Sequence, residues 1–299
     1  MIAWQILVGG VIVTSTISTI LSKKTLFKEH AMEFSGTLAV LIGVISLFLI
    51  PFLDFNFPRN YWPILYIISI FSTIGFLLIA KSTRHLPVSS SSPLFAFAPV
   101  ITAILAWFFL KEYLTWVHIT GLSLVFVGSY FLEIKPKKSF SREMFSPLKE
   151  MFESKYIHFV FLALVLYGAS DIIQRFMVNA SNVIHMNVPT FFFITHIFMA
   201  INFLVLLIIY HDGFAGIKHG LKSSGKLIML VALIGFIGRI LTVYAVSNPL
   251  GQVALVTALK RSSIVLSTFF GGELFKEKHL KQKTLASLLM VMGAIMLAI

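Results

Sequence analysis

The chain has 299 residues, 58% of them hydrophobic and only 12% charged, with 30 phenylalanines and a mean hydropathy of +0.92. That composition excludes a soluble globular domain and describes an integral membrane protein. There is no cysteine, which excludes disulfides and thiolate chemistry, and the net charge of +12 has to be read from its placement rather than its sum.

Apolar runs of roughly 17 to 25 residues follow one another along the chain, each long enough to cross about 30 Å of hydrocarbon at about 1.5 Å per residue. They fall at 3–22, 34–53, 62–80, 88–110, 114–134, 156–178, 188–210, 226–247, 250–272 and 280–299. The runs are solidly apolar instead of alternating at every second residue, and backbone groups in lipid need internal hydrogen bonds. They therefore predict helices and not barrel strands. The expected fold is an all-α polytopic membrane protein with ten transmembrane helices. The first run lacks a basic n-region and is too long for a signal-peptide core, so it reads as a retained helix.

Taking alternate loops as one face, 18 lysines and arginines gather there, from Lys23 and Lys24 to Lys281 and Lys283. The opposite face holds only Arg59, Lys111 and Arg175. The positive-inside rule makes the basic loops cytoplasmic and leaves both termini outside, in the cell membrane. The basic residues are therefore expected to meet lipid headgroups, and no nucleic-acid partner is expected.

The longest polar connection, residues 135–155, separates two sets of five helices: a first repeat over 1–134 and a second over 156–299. "PVITAILAWFFLKEYLTWVHITGLSLVFVGSY" (99–130) aligns without gaps on "IVLSTFFGGELFKEKHLKQKTLASLLMVMGA" (264–294), placing Lys111-Glu112 on Lys276-Glu277 and Gly128 on Gly293. Five is odd, so the second copy enters the membrane in the opposite direction, as an inverted repeat. The loop charges agree: the richer loops are the first and third in one half and the second and fourth in the other.

In these features the chain resembles the drug/metabolite transporter superfamily, specifically its ten-helix EamA-like members. The resemblance runs over nearly the whole chain. It is carried by the proline that opens the fourth helix in "HLPVSSSSPLFAFAPV", the helix-ending "FFLKEYL" and "LFKEKHL", and the glycine-bearing fifth and tenth helices. It implies two five-helix bundles around a central cavity and transport by alternating access. Ten-helix members usually have cytoplasmic termini, and the charge count here argues the reverse.

Most polar residues inside the runs have a packing explanation: hydroxyls in "VTSTIST" and "SSSS", and glycines 235, 238, 271 and 272 where helices approach closely. His196 and Asn202 suit interhelical hydrogen bonds, and with Phe95, Phe97 and Tyr244 they are candidates for lining a cavity. The histidines have no ligand spacing, so no metal and no cofactor is expected. Asp171 lies one turn before Arg175, in the favourable order for an i,i+4 ion pair; the alternative role for Asp171 is to carry a proton or touch the solute.

Lys260 and Arg261 are too deep to snorkel. A central cation costs about 2.5–3.5 kcal/mol, so an acid, a wet cavity or an anionic ligand must offset each one. Arg239 lies at a similar depth before the "SNPL" turn, so three cations converge if the eighth and ninth helices are antiparallel. They are the candidate substrate-binding residues; the bland alternative is a set of bonds to carbonyls and water. In the sugar-phosphate translocators of the superfamily a Lys-Arg dipeptide of the ninth helix contacts the substrate phosphate, and Lys260-Arg261 resembles it in type and helix. Paired catalytic acids, a nucleophile with a base, and phosphate loops are absent, so no enzymatic activity is expected. The expected function is secondary transport of a small anionic or zwitterionic metabolite. The alternatives are export of amino acids or hydrophobic or cationic compounds on the same fold, or a scaffold or sensor that transports nothing.

Overall fold

A computed structural model describes residues 4–26, 30–85, 97–133, 155–182, 185–210, 213–263, 266, 270 and 280–298. Among these residues the secondary structure is entirely helical. The α-helices are α1 (Trp4–Leu26), α2 (Ala31–Ser46), α3 (Trp62–His85), α4 (Ala98–Leu105), α5 (Trp116–Glu133), α6 (Lys155–Val178), α7 (Val188–Tyr210), α8 (Phe214–Ser247), α9 (Val253–Lys260) and α10 (Leu280–Ala298). Among the described residues six stretches are long and apolar enough to cross a membrane: Trp4–Leu26, Ala31–Phe52, Arg59–Ser82, Lys155–Val178, Val188–Tyr210 and Phe214–Ser247. Ala98–Leu110, Trp116–Gly128 and Leu288–Leu297 are shorter apolar stretches. The protein is a multi-pass, all-helical membrane protein.

Local chemistry accounts for the helix boundaries. His30 caps α2, its Nδ1 accepting from the Met32 amide at 3.3 Å. The same span finishes as a 3-10 helix, Leu47–Phe52, that contains Pro51, whose ring nitrogen has no hydrogen to donate. α8 is interrupted at Ser224, which has non-helical φ −134° and ψ 18°, so the apolar span proper starts after the basic segment that holds Lys218 and Lys222. α4 loosens into a π-turn, Ala106–Leu110, and stops at Lys111, whose φ of 56° and ψ of 30° are left-handed. A non-glycine residue in that region is uncommon, and here it ends the helix and redirects the chain.

α1 packs on α8, α3 on α6, α2 on both α7 and α8, α3 on α7, α4 on α6 and α9, α1 on α9, and α5 on α10. Exchanging each helix for the one five places along returns this same set of pairings. The α5–α10 crossing has the same property in atomic detail. A Cβ on Gly128 would lie 2.8 Å from the Ala286 carbonyl oxygen and 2.9 Å from the Met290 amide nitrogen. A Cβ on Gly293 would lie 2.6 Å from the Gly121 oxygen and 2.8 Å from the Val125 nitrogen. Gly128 and Gly293, Gly121 and Ala286, and Val125 and Met290 are each 165 residues apart, the offset of the sequence alignment. Both close approaches are to backbone atoms, which cannot swing aside, so the contact tolerates only glycine.

Gly293→Leu and Gly128→Leu are therefore expected to cost about 3 kcal/mol or more, at or above the usual range for overpacking. Gly9→Ala, where a Cβ meets nothing within 4 Å, should be neutral or slightly stabilising. Thermal unfolding in detergent, followed by loss of the monodisperse chromatographic peak, measures all three.

Candidate functional site

The site is organised from the charge-poor face. Once Lys111 has ended the fourth helix, Glu112 turns inward. Its Oε1 accepts from Arg175 Nε at 2.7 Å, and its Oε2 accepts from the Val253 amide at 3.2 Å. Val253 is the first residue of α9, so Glu112 also places a negative charge at that helix's N-terminus, where the backbone dipole favours it. Arg175, only 4% exposed, donates its terminal nitrogens to the carbonyls of Val246, Asn248 at 2.6 Å and Pro249 at 2.9 Å. One buried guanidinium thus joins the ends of α4 and α6 to the turn between α8 and α9.

This arrangement corrects the expected Asp171–Arg175 ion pair. Arg175 lies near the C-terminal end of α6, within reach of the turn and of Glu112, and its donors are committed there. Asp171, a turn further from that end, interacts electrostatically with Lys260 and Arg261 instead.

Three helix positions converge at one depth. Asp171 is seven residues from the end of α6, Arg239 eight from the end of α8, and Lys260 seven from the start of α9. Each lies about 10–12 Å along its helix from the charge-poor face. Lys260 interacts electrostatically with Asp171, Arg261 and Arg239, and Tyr167 with both Arg239 and Asp171. Lys260 is half-buried and makes no hydrogen bond or ion pair with any described residue. α9 breaks at this point: the amides of Arg261 and Ser262 bond the carbonyls of Ala258 and Leu259, three residues back instead of four. The Ser262 Oγ is buried with no hydrogen-bond partner among the described residues.

Arg239 stands at the inner end of a cavity of about 170 Å³ that extends toward the basic face. Its walls are mainly apolar, with Phe34, Leu38, Ile42, Phe76 and Ile79 among them and the hydroxyls of Ser18 and Ser22 between. The guanidinium lies 5.8 Å from the Phe76 ring centroid, a cation–π distance, and contacts His196 Nε2 at 3.5 Å. The His196 Nδ1 bonds the Phe192 carbonyl at 2.9 Å, and the imidazole stacks on the Phe192 ring. Asn202 donates to Ser69 at 3.1 Å and Thr73 at 3.4 Å, a bond between helices beside the cavity wall.

The remaining candidates are elsewhere. Phe97 packs edge-on against Phe126 at 4.9 Å and against Phe161, in a small core beside α6. Tyr244 is 41% exposed and does not line the cavity. Phe95, Gly271, Gly272 and Glu277 lie outside the described residues. Sequence reasoning missed Tyr167 and Phe76. Tyr167 could have been found as the residue one turn before Asp171 on the same helix face; nothing distinguishes Phe76 among 30 phenylalanines. Among the described residues no group of histidines and acids has the make-up of a metal site.

The cationic cluster thus lies inside a helical membrane bundle, with Arg239 linking it to an apolar cavity. Residues 2–134 match the EamA-like transporter family. The match covers a little under half of the chain. The family is one of membrane transporters, in agreement with the resemblance read from the sequence. No curated protein matches the chain. One solved crystal structure, of a protein described no further, superposes with a TM-score of 0.69 at 13% identity, covering 98% of this chain and 95% of the other. At that identity the likeness is one of fold, and it extends over both the EamA-like half and the half that follows.

Removing one member of a buried ion pair leaves the other charge uncompensated, at a cost of about 3–5 kcal/mol. Glu112→Gln and Arg175→Gln should both lower the midpoint of thermal unfolding by that order. Asp171→Asn leaves the Arg175 bonds intact and should have a clearly smaller effect in the same assay.

Proposed function

We propose that this protein is a secondary transporter that carries a small anionic or zwitterionic organic solute by alternating access. In this reading ten membrane-spanning helices form two inverted five-helix repeats, over residues 1–134 and 156–299, joined by a cytoplasmic basic linker. Its partners are the solute and the lipid bilayer. The exchange of helix pairings between the halves and the paired glycine contacts of the α5–α10 crossing support the repeat.

The observation that carries the reading is Lys260: half-buried two turns in from the charge-poor face, in the electrostatic neighbourhood of one carboxylate, Asp171, and two arginines, and bonded to no described residue. Three cations share that one carboxylate, and each uncompensated cation at that depth costs about 2.5–3.5 kcal/mol, which a bound anionic group offsets. Lys260 and Arg239 bind the anion, with Arg261 beside them, and Asp171 receives the ammonium of a zwitterion. The Glu112–Arg175 joint closes the charge-poor end while the cavity reaches toward the basic end, the asymmetry that an alternating-access cycle has in one of its end states. Solute reaches the other side when this joint parts.

The mainly apolar cavity walls favour a solute with an apolar body, which keeps the amino-acid or hydrophobic-compound exporter as the second reading. Competition by anions against cations of matched size separates the two. Lys260→Ala should abolish uptake or exchange in proteoliposomes, a loss of at least about a hundredfold for an interaction near 3 kcal/mol. It should also remove any stabilisation of the purified protein by anionic metabolites, without lowering its own unfolding midpoint. Wild-type transport by that variant would rule out the site, and a fall in the midpoint with transport intact would indicate a structural role.

A further inference from the structure

At the opposite end of the molecule from the Glu112–Arg175 joint, three helix ends enclose a second pocket, of about 300 Å³. Its lining residues are His30 and Ala31 at the start of α2, Lys81 and His85 at the end of α3, and Lys155, Tyr156 and Phe159 at the start of α6. Among the described lining residues, every titratable group other than Tyr156 is a lysine or histidine. The nearest acid on α2, Glu33, does not line the pocket.

The pocket has fixed walls. His85 stacks on Tyr156 with ring centroids 4.4 Å apart and planes 6° from parallel, and its Nδ1 donates to the Lys81 carbonyl at 2.8 Å. Ser82 donates to the Tyr156 carbonyl at 3.0 Å, which pins α3 to α6. Lys155 Nζ lies over the Tyr156 ring, 5.2 Å from its centroid. The His30 Nδ1 accepts from the Met32 amide, which orients that ring at the pocket wall.

Two independent sources of positive potential meet here. Lys81 and Lys155 contribute full charges from two different helices. α2 begins at the pocket, so the positive end of its dipole faces it. A multiply charged oxyanion with several acceptor oxygens suits such a set of donors, whereas a single carboxylate would satisfy fewer of them.

We propose that this pocket is a phosphate-ester site on the basic face, separate from the Lys260 cluster. The ends of three membrane helices lie at the depth of phospholipid phosphates, so the ester is either the headgroup of a lipid in the adjoining leaflet or a soluble phosphate metabolite. The two sources share the chemistry and differ in how they are delivered.

The test uses the full chain in nanodiscs. In phosphatidylcholine discs, glycerol phosphate is titrated against the unfolding midpoint, with chloride at matched ionic strength as the control. In a second arm phosphatidic acid replaces part of the phosphatidylcholine. Stabilisation by glycerol phosphate identifies a soluble ligand, and stabilisation by phosphatidic acid alone identifies a lipid headgroup. In either case Lys81→Ala with Lys155→Ala should weaken the response about tenfold or more, equivalent to about 1.4 kcal/mol. Lys81→Arg should retain it. The proposal is overturned if neither phosphate source stabilises the wild type beyond the chloride control, or if the double variant responds as the wild type does. The midpoint of the double variant without ligand checks its folding, and Lys81→Arg keeps the proposal testable if that variant is unstable.

Discussion

The arrangement of charge in this protein depends on where Arg175 spends its donors. A guanidinium has five N–H groups in a rigid fork, and here the fork meets one carboxylate and three backbone carbonyls in a site only 4% exposed. Those acceptors come from the chain after α4 and from the turn between α8 and α9, so the bond network decides how the two halves meet at the charge-poor face. It also leaves Asp171 unclaimed by its sequence neighbour. If Asp171 and Arg175 had paired, the deeper cations would have lost their carboxylate, and the centre of the protein would be more strongly positive. The joint at the surface thus sets the charge of the site about two helical turns below it.

Much of the fold was legible because the membrane reduces it to one dimension. Runs of apolar residues give helices, and the observed bounds of α6 and α7 differ from the sequence spans by one residue at most. Features that depend on hydrogen-bond geometry between distant segments were not legible. The break in α8 at Ser224 carries no proline, and the end of α4 uses a left-handed lysine where glycine would have been the sequence signal. Lys111-Glu112 stood out as a recurring pair, but the sequence could not say that the lysine turns the chain and the glutamate reaches Arg175 and Val253. The depth of Asp171, Arg239 and Lys260 followed from counting residues. The partner of Asp171 did not, because an i,i+4 rule describes an isolated helix and here tertiary acceptors outbid it.

The cavity chemistry divides between the halves. Its apolar and hydroxyl walls come mostly from α1, α2 and α3, whereas Arg239 at its inner end belongs to the second half, as do Lys260, Arg261 and Asp171 beyond the lining. The offset of 165 that relates the α5–α10 glycines places Phe95 and Ala96 opposite Lys260 and Arg261 in sequence. A fold built on paired elements therefore carries unpaired chemistry. Matching helices make similar contacts. The side chains at matching positions have diverged, one apolar and one cationic. In the proposed transport reading, a solute held between such surfaces would meet an electrostatic pull from one half and dispersion contacts from the other, a combination that favours molecules with a charged end and an apolar end.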